Sequence, residues 1–160
     1  MIRLTRQTDY GVLLLTVIAS HPGRGHTARE LAESTRISQA MVSKVLKLLA
    51  QAGLLQSQLG VKGGYSLARP AEDVTVREIV DVLEGPIAIT VCSDGNGSCE
   101  QEGRCPVEAN WRTINQAIHG ALEAITLADM AAPCPVTLSG SVAKLGALQG
   151  SRTGATEPSA

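Results

Sequence analysis

The sequence has very few aromatic residues and no long apolar run. Among 160 residues there is no phenylalanine, one tryptophan and two tyrosines, so aliphatic side chains must fill the core. This favours helices packed on helices and argues against an aromatic platform for stacking single-stranded nucleic acid. No stretch approaches the ~20 apolar residues of a membrane span, and the run Val12–Ala19 is too short for a signal peptide. We therefore expect a cytoplasmic protein with no membrane partner.

Motifs of catalysis are also missing from the chain. There is no phosphate-binding glycine loop, no nucleophile elbow and no pairing of a histidine with a carboxylate. The three histidines, His21, His26 and His119, are expected in loops or on the surface. The sequence therefore predicts a protein that is not an enzyme.

Charge is distributed unevenly between the two halves of the chain. Residues 1–70 carry nine basic and three acidic side chains, a formal charge of +6, whereas residues 71–160 carry five basic and twelve acidic ones, a charge of −7. A basic half joined to an acidic half indicates that the first half faces a polyanion. The alternative is ordinary surface charge that happens to be unequally shared.

Capping patterns divide the first seventy residues into helices. A helix is expected from about Thr5 to Ser20, because proline and glycine residues follow. Thr27 and Glu30 have the spacing of a capping box, in which each side chain bonds to the backbone N–H of the other residue. They predict a short helix that ends near Thr35.

A longer helix and a hairpin complete this half. Ser38 can cap a helix over residues 39–52, and Gly53 suits the left-handed position that follows a helix. Two short strands, 54–59 and 65–68, flank a glycine-rich tip and predict a β-hairpin. Short helix, turn, longer helix and hairpin is the order of a winged helix-turn-helix, so residues 1–70 are expected to form a DNA-binding domain.

Polar residues on the longer helix are suited to reading double-stranded DNA. Gln39 and Ser43 match base edges in the major groove, whereas Lys44 and Lys47 match phosphates. Lys62 lies at the hairpin tip, where glycines allow a close approach to the backbone of DNA. For any one basic residue, a solvated surface side chain is the alternative. The candidate DNA contacts are Arg3, Thr27, Arg29, Ser38, Gln39, Ser43, Lys44, Lys47 and Lys62.

Residues 71–132 are expected to hold a linker helix, a cysteine loop and a second long helix. Thr75 and Glu78 again have capping-box spacing, and their helix should stop at Gly85. After the loop, a helix from Pro106 to about Ala124 has apolar residues at three- and four-residue spacing. These are Val107, Trp111, Ile114, Ile118, Leu122 and Ile125, with Trp111 expected in a core or an interface. Residues 133–160 are expected to be a disordered tail.

Three of the four cysteines lie in the loop, with the pattern Cys92-x6-Cys99-x5-Cys105. Three thiols cannot pair among themselves, and a cytosolic protein has little use for a disulfide framework. The spacing is wider than zinc sites generally use, and it suits three thiolates around an iron–sulfur cluster. Zinc, or reactive or incidental thiols, stay open as alternatives. Cys134, between two prolines, is expected to be a spare thiol.

Several segments together resemble the Rrf2 family of winged-helix regulators. They are Arg3-Leu4-Thr5 with Thr8-Asp9-Tyr10-Gly11, Met41-Val42-Ser43-Lys44-Val45-Leu46, Gly63-Gly64-Tyr65 and the three-cysteine loop. The segments Leu83-Glu84-Gly85-Pro86-Ile87, Cys105-Pro106 and Thr126-Leu127-Ala128-Asp129-Met130 are most similar to the family's SUF-system regulators of iron–sulfur assembly. The resemblance covers about residues 1–132. It implies a mainly α fold with a winged helix-turn-helix, a cysteine loop and a long C-terminal dimerisation helix.

The resemblance also implies a function and a ligand set. A homodimer would bind a palindromic operator and carry a 2Fe–2S or 4Fe–4S cluster on Cys92, Cys99 and Cys105. IscR-like members use a histidine three residues after the third cysteine, where this chain has Glu108. NsrR-like members use an acidic residue near the start of the first helix, which here is Asp9, so Asp9 of the partner subunit is the first candidate for the fourth ligand and Glu108 the second. We expect a repressor of SUF genes; a nitric oxide-sensing repressor and a zinc-stapled interaction module are the alternatives.

Overall fold

The structure, a computed structural model, describes residues 3–58, 63–93, 99–101 and 104–132, and for Cys92 it describes the backbone alone. This part of the chain is mainly helical, as the sequence predicts. Its elements are α1 (Arg6–Ala19), α2 (Ala28–Thr35), α3 (Gln39–Gln51), β1 (Leu55–Gln58), β2 (Gly64–Leu67), α4 (Val76–Glu84), α5 (Glu108–Glu123) and α6 (Leu127–Ala131). None of the helices described is both long and apolar enough to cross a bilayer.

Capping hydrogen bonds set the first turns of most helices. Thr27 and Glu30 form the predicted capping box, with Glu30 N at 3.1 Å from Thr27 Oγ1 and Thr27 N at 2.9 Å from Glu30 Oε2. Two expectations were wrong in detail. Ser38 precedes α3, but its side chain makes no capping hydrogen bond. Thr75 accepts from Glu78 N, but the Glu78 carboxylate pairs with Arg69 instead of completing the box.

Residues with positive φ end three of the helices. Gly53 (φ 78°) follows α3 as predicted, and Gly85 (φ 90°) ends α4. Arg36 ends α2 with φ 58°, a left-handed conformation that is unusual for a residue with a Cβ and costs about 1 kcal/mol. This sharp turn lets α3 cross α2 as the second helix of a helix-turn-helix.

One apolar cluster joins both halves of the chain. Leu14, Leu46 and Leu49 from the first half are fully buried with Ile79 of α4 and Leu127 of α6. Backbone bonds dock the start of α6, because Leu127 N donates to Val74 O (2.8 Å) and Val76 N donates to Ile125 O (2.9 Å). Residues on both sides of residue 70 share this one core. The domain boundary at residue 70 stays a prediction.

The hairpin packs against the loop that precedes α2. β1 and β2 pair antiparallel with Leu55 opposite Leu67, and the outer side of β2 exchanges two backbone hydrogen bonds between Tyr65 and His26 (2.9 and 2.8 Å). Gly64 is required here, because a Cβ would lie 2.8 Å from the backbone carbonyl of His26. Tyr65 packs against the core. These backbone hydrogen bonds fix the hairpin formed by β1 and β2, called the wing below, to the loop between α1 and α2.

His26 lies in a loop, as the sequence predicts, but its side chain is buried, which the sequence did not indicate. Its side chain is 5% exposed, and Nε2 has no hydrogen-bond partner in the described part of the chain. Burial, the charge of Arg24 and that of His21 lower the pKa of His26, so the ring stays neutral near pH 7. The pairing of residue 26 with Tyr65 carried its side chain inside.

Candidate nucleic-acid interface and cysteine loop

Helix α3 has one face in the core and one in solvent. Val42, Val45, Leu46 and Leu49 are buried against the neighbouring helices. The predicted contacts Gln39, Ser43, Lys44 and Lys47 are all exposed, together with Ser38 before the helix. Because the apolar face holds the helix to the domain, its polar row can enter a major groove without cost to the core.

The loop before α2 and the first turn of α2 add further exposed polar groups. Thr27 and Arg29 are exposed, and Arg29 Nε lies 2.9 Å from Glu33 Oε1 one turn later. That hydrogen bond raises the pKa of Arg29, so its cation persists at any working pH. An exposed ion pair of this kind is weak and opens readily to a phosphate.

Arg36 is a basic residue that sequence reasoning left out of the candidate contacts. It is exposed in the turn between α2 and α3, beside the start of the polar row. Its left-handed turn position carries no local sequence signal, because arginine seldom adopts positive φ. Of the remaining candidates, Arg3 is exposed before α1, and Lys62 lies outside the described residues.

The first turn of α1 is bonded to the last residue of α4. Glu84 Oε1 accepts from Thr8 Oγ1 at 2.5 Å and from Thr5 N at 2.6 Å. These bonds, first that from Thr8 and then that from Thr5, lower the pKa of Glu84, and Thr8 is fully buried. This carboxylate therefore ties the end of α4, which leads into the cysteine loop, to the first turn of α1. The sequence separation of 76 residues hid the contact from sequence reasoning.

The cysteine loop is described in part. Cys99 and Cys105 are free, half-buried thiols, whereas Cys134 lies outside the described residues. The backbone of Cys92 is in a short 3-10 turn, Val91–Ser93, which packs against α5. Free thiols are the kind of donor that binds an iron–sulfur cluster, so the chemistry of Cys99 and Cys105 is compatible with such a group.

The two candidate fourth ligands differ in their surroundings. The side chain of Asp9 is exposed and makes no hydrogen bond or ion pair within the described chain; it lines a surface depression with Arg3 and Arg6. Glu108 is paired with Arg112, with Oε1 at 2.8 Å from Nη2. Within the described residues no three His, Cys, Asp or Glu side chains meet at metal distance, so a single chain does not bring Asp9 to Cys99 and Cys105.

Helix α5 exposes the first half of its predicted apolar stripe. Val107, Trp111 and Ile114 are 45%, 37% and 45% exposed, so Trp111 is not a core residue of this chain. The later members, Ile118, Leu122 and Ile125, are half-buried. Adjacent exposed apolar side chains on one helix face mark an interaction surface.

Comparison with known proteins places these features in a family. The Rrf2 family profile, described as an iron-dependent transcriptional regulator, matches residues 4–133. The protein rrf2 of Nitratidesulfovibrio vulgaris is 33% identical over 137 residues, covering 83% of this chain and 91% of the relative. The HTH-type transcriptional regulator IscR of Photorhabdus laumondii is 29% identical over 129 residues, 80% of this chain and 78% of the relative.

Solved structures agree with the sequence relatives. CymR of B. subtilis, a global cysteine regulator, superposes with a TM-score of 0.68 at 27% identity, covering 82% of this chain and 97% of CymR. IscR of T. potens superposes with a TM-score of 0.62 at 28% identity, covering 81% and 85%. These relatives regulate transcription, in agreement with the expectation that this protein is not an enzyme.

Proposed function

Because the chain belongs to the Rrf2 family of iron-dependent transcriptional regulators, we propose that it is a cytoplasmic, iron–sulfur-sensing repressor of SUF assembly genes. At the coarser level it is a DNA-binding transcriptional regulator. The observation that carries the proposal is the two-faced helix α3, with its polar row exposed over a buried apolar face, in the same chain as the three-cysteine loop.

DNA recognition is proposed to centre on α3. Gln39 and Ser43 read base edges, and Lys44 and Lys47 bind the flanking phosphates, supported by Arg29 and Arg36 at the helix-turn-helix. The wing, which includes Lys62, and Arg3 add phosphate contacts.

A homodimer would present two α3 helices to a palindromic operator. The exposed apolar face formed by Val107, Trp111 and Ile114 supports self-association through α5, since two copies would remove it from water. Half-site spacing then depends on how α5 is placed relative to each DNA-binding half.

Cys92, Cys99 and Cys105 would hold the cluster, with Asp9 of the partner subunit as the fourth ligand and Glu108 as the alternative. When bound, an iron–sulfur cluster supplies a redox- and iron-sensitive crosslink among these side chains. Two contacts within this chain would transmit the presence or loss of the cluster to the dimer helix α5 and to α1. The Val91–Ser93 turn packs against α5, and Glu84 bonds to the first turn of α1.

The test of sensing is anaerobic reconstitution followed by visible absorbance and operator binding. Wild type should bind iron and sulfide, and Cys92→Ser, Cys99→Ser and Cys105→Ser should lose the colour and change operator affinity. Cys134→Ser is the matched control and should keep both properties. If the three single cysteine variants are colourless but bind the operator as tightly as cluster-loaded wild type, sensing is refuted. Zinc in place of iron in the purified wild type would favour the zinc-stapled interaction module. A promoter response to nitric oxide rather than to iron shortage would favour the NsrR-like alternative.

The test of DNA recognition is the salt dependence of operator binding. Lys44→Ala should weaken binding to all sequences and reduce the salt slope by about one. Gln39→Ala should mainly reduce discrimination between operator and unrelated DNA. Arg77→Gln, a change of charge on α4 in the acidic half, should leave the slope unchanged. An effect of Arg77→Gln equal to that of Lys44→Ala would show that net charge, not α3, governs binding.

A further inference from the structure

We propose that Asn115 and His119 on α5 are positioning residues that clamp the stem of the cysteine loop and thereby set the place of Cys92. The stem is defined here as residues 87–90, between α4 and the Val91–Ser93 turn. The inference rests on the proposed function only in naming the group that the positioned thiol would hold. The clamp itself consists of contacts within this chain.

Asn115 faces its own chain although it is polar. Asn115 is 7% exposed and is the one buried residue of α5, on a helix whose apolar Trp111 and Ile114 are exposed to solvent. Asn115 Oδ1 accepts from Ile89 N at 3.3 Å, and Asn115 Nδ2 donates to Ile87 O at 3.3 Å. One side-chain amide therefore pairs with both a donor and an acceptor of the stem.

His119, one turn later on α5, contacts the same carbonyl of the stem, Ile87 O. Its Nε2 lies 2.8 Å from Ile87 O, and because a carbonyl oxygen only accepts, Nε2 must carry the hydrogen. The ring nitrogen also lies 3.2 Å from Asn115 Nδ2, so both side chains converge on one carbonyl. His119 is half-buried, so its ring is at the surface as predicted while Nε2 is bonded to the stem, which the sequence did not indicate.

The stem needs these partners because it has no regular secondary structure of its own. Backbone groups of an irregular segment that is partly shielded from water must be paired by side chains. A leucine at position 115 would fill the space but leave Ile89 N and one bond to Ile87 O unmet. Asn115 and His119 are therefore suited to hydrogen bonding the backbone of the stem, whereas an apolar side chain would only add buried apolar surface.

The clamp connects directly to the cysteines. The turn after the stem is closed by Ser93 N donating to Thr90 O (2.9 Å), so the backbone of Cys92 lies in a hydrogen-bonded turn directly after the stem. At the other end of the loop, Cys105 O accepts from Glu108 N (3.3 Å) at the start of α5. Helix α5 thus anchors the first cysteine through Asn115 and His119 and the third cysteine through its own first turn.

The test compares Asn115→Ala, His119→Ala and His119→Gln with Gln116→Ala, an exposed neighbour on the same helix. In the metal-free protein, hydrogen exchange at Ile89 N and alkylation of Cys92 are measured by mass spectrometry. Asn115→Ala should speed both by about tenfold, because it removes two hydrogen bonds from the stem. His119→Ala should have a smaller effect in the same direction, and His119→Gln, which keeps an N–H donor, should restore slow exchange. In reconstituted protein, Asn115→Ala should also lose visible absorbance faster to a chelator.

The two ideas fail in different ways. Wild type that binds no iron would refute the cluster proposal, while the metal-free measurements would still decide the clamp. Ile89 exchange and Cys92 alkylation in Asn115→Ala that match Gln116→Ala would overturn the clamp whatever the wild type binds. If His119→Ala and His119→Gln both speed exchange at Ile89 N by the same factor, packing of the His119 ring, and not its donated hydrogen bond, holds the stem.

Discussion

Replacing Gly64 with alanine tests how the wing is seated on the domain. Gly64 begins β2 with φ +154°, and a Cβ there would lie 2.8 Å from both C and O of His26 and 2.9 Å from its N. All three are backbone atoms, so no side chain can rotate away to relieve the overlap. The strand must move, and the two hydrogen bonds between His26 and Tyr65, now 2.9 and 2.8 Å, must lengthen or break.

The cost follows from these contacts. Two net backbone hydrogen bonds contribute about 1 kcal/mol each, and a φ that L residues rarely adopt adds about 1–3 kcal/mol. Gly64→Ala should therefore lower the free energy of unfolding by about 3–5 kcal/mol, a large part of the roughly 5–15 kcal/mol typical of a domain. Gly53→Ala is the matched control, since Gly53 has φ +78° but nothing within 4 Å of the added Cβ. It should cost about 1 kcal/mol from backbone strain alone.

Denaturant unfolding of both variants at one protein concentration measures the difference. Operator binding of folded Gly64→Ala should also weaken, because a displaced wing cannot keep its place relative to α3. Equal destabilisation by Gly64→Ala and Gly53→Ala would refute the close contact between β2 and the backbone of residue 26.

Three further predictions concern other parts of the described chain. Arg36→Gly should raise the free energy of unfolding by up to about 1 kcal/mol by relieving a left-handed residue, yet reduce the salt slope of operator binding by about one; an unchanged slope would show that this cation does not reach a phosphate. Leu127→Ala, at a fully buried position, should cost about 2–5 kcal/mol in thermal unfolding, whereas Leu13→Ala, at a 43% exposed position, should cost about 0.5 kcal/mol, and equal costs would contradict the docking of α6. Because burial lowers the pKa of His26, stability should be retained above its ordinary value of 6.5 and fall as the pH drops below that value; an unfolding free energy constant between about pH 7.5 and about pH 5.5 would argue against a buried neutral ring.

The sequence predicted the order of elements in the first seventy residues, for local reasons. A capping box needs two residues three apart, and Thr27 with Glu30 formed it. The helical stripe of Val42, Val45 and Leu49 needs only the 3.6-residue period to place Gln39 and Ser43 on the opposite side. Where the competing partner was distant, local reasoning was wrong, as when Glu78 paired with Arg69 instead of capping α4.

What the sequence by itself determined was therefore helices α1 to α5, the hairpin, the polar row of α3 and the membership of three cysteines in one loop, because periodicity, capping and spacing are properties of neighbouring residues. It did not indicate the short helix α6. The tertiary structure alone decided which distant polar groups meet and which polar side chains become buried. His26 became buried because its backbone pairs with Tyr65, Glu84 reached Thr8 across 76 residues, and Asn115 closed on Ile87 and Ile89. Each of these contacts joins segments far apart in the chain, and their geometry is set by how α1, α4 and α5 pack rather than by any local pattern.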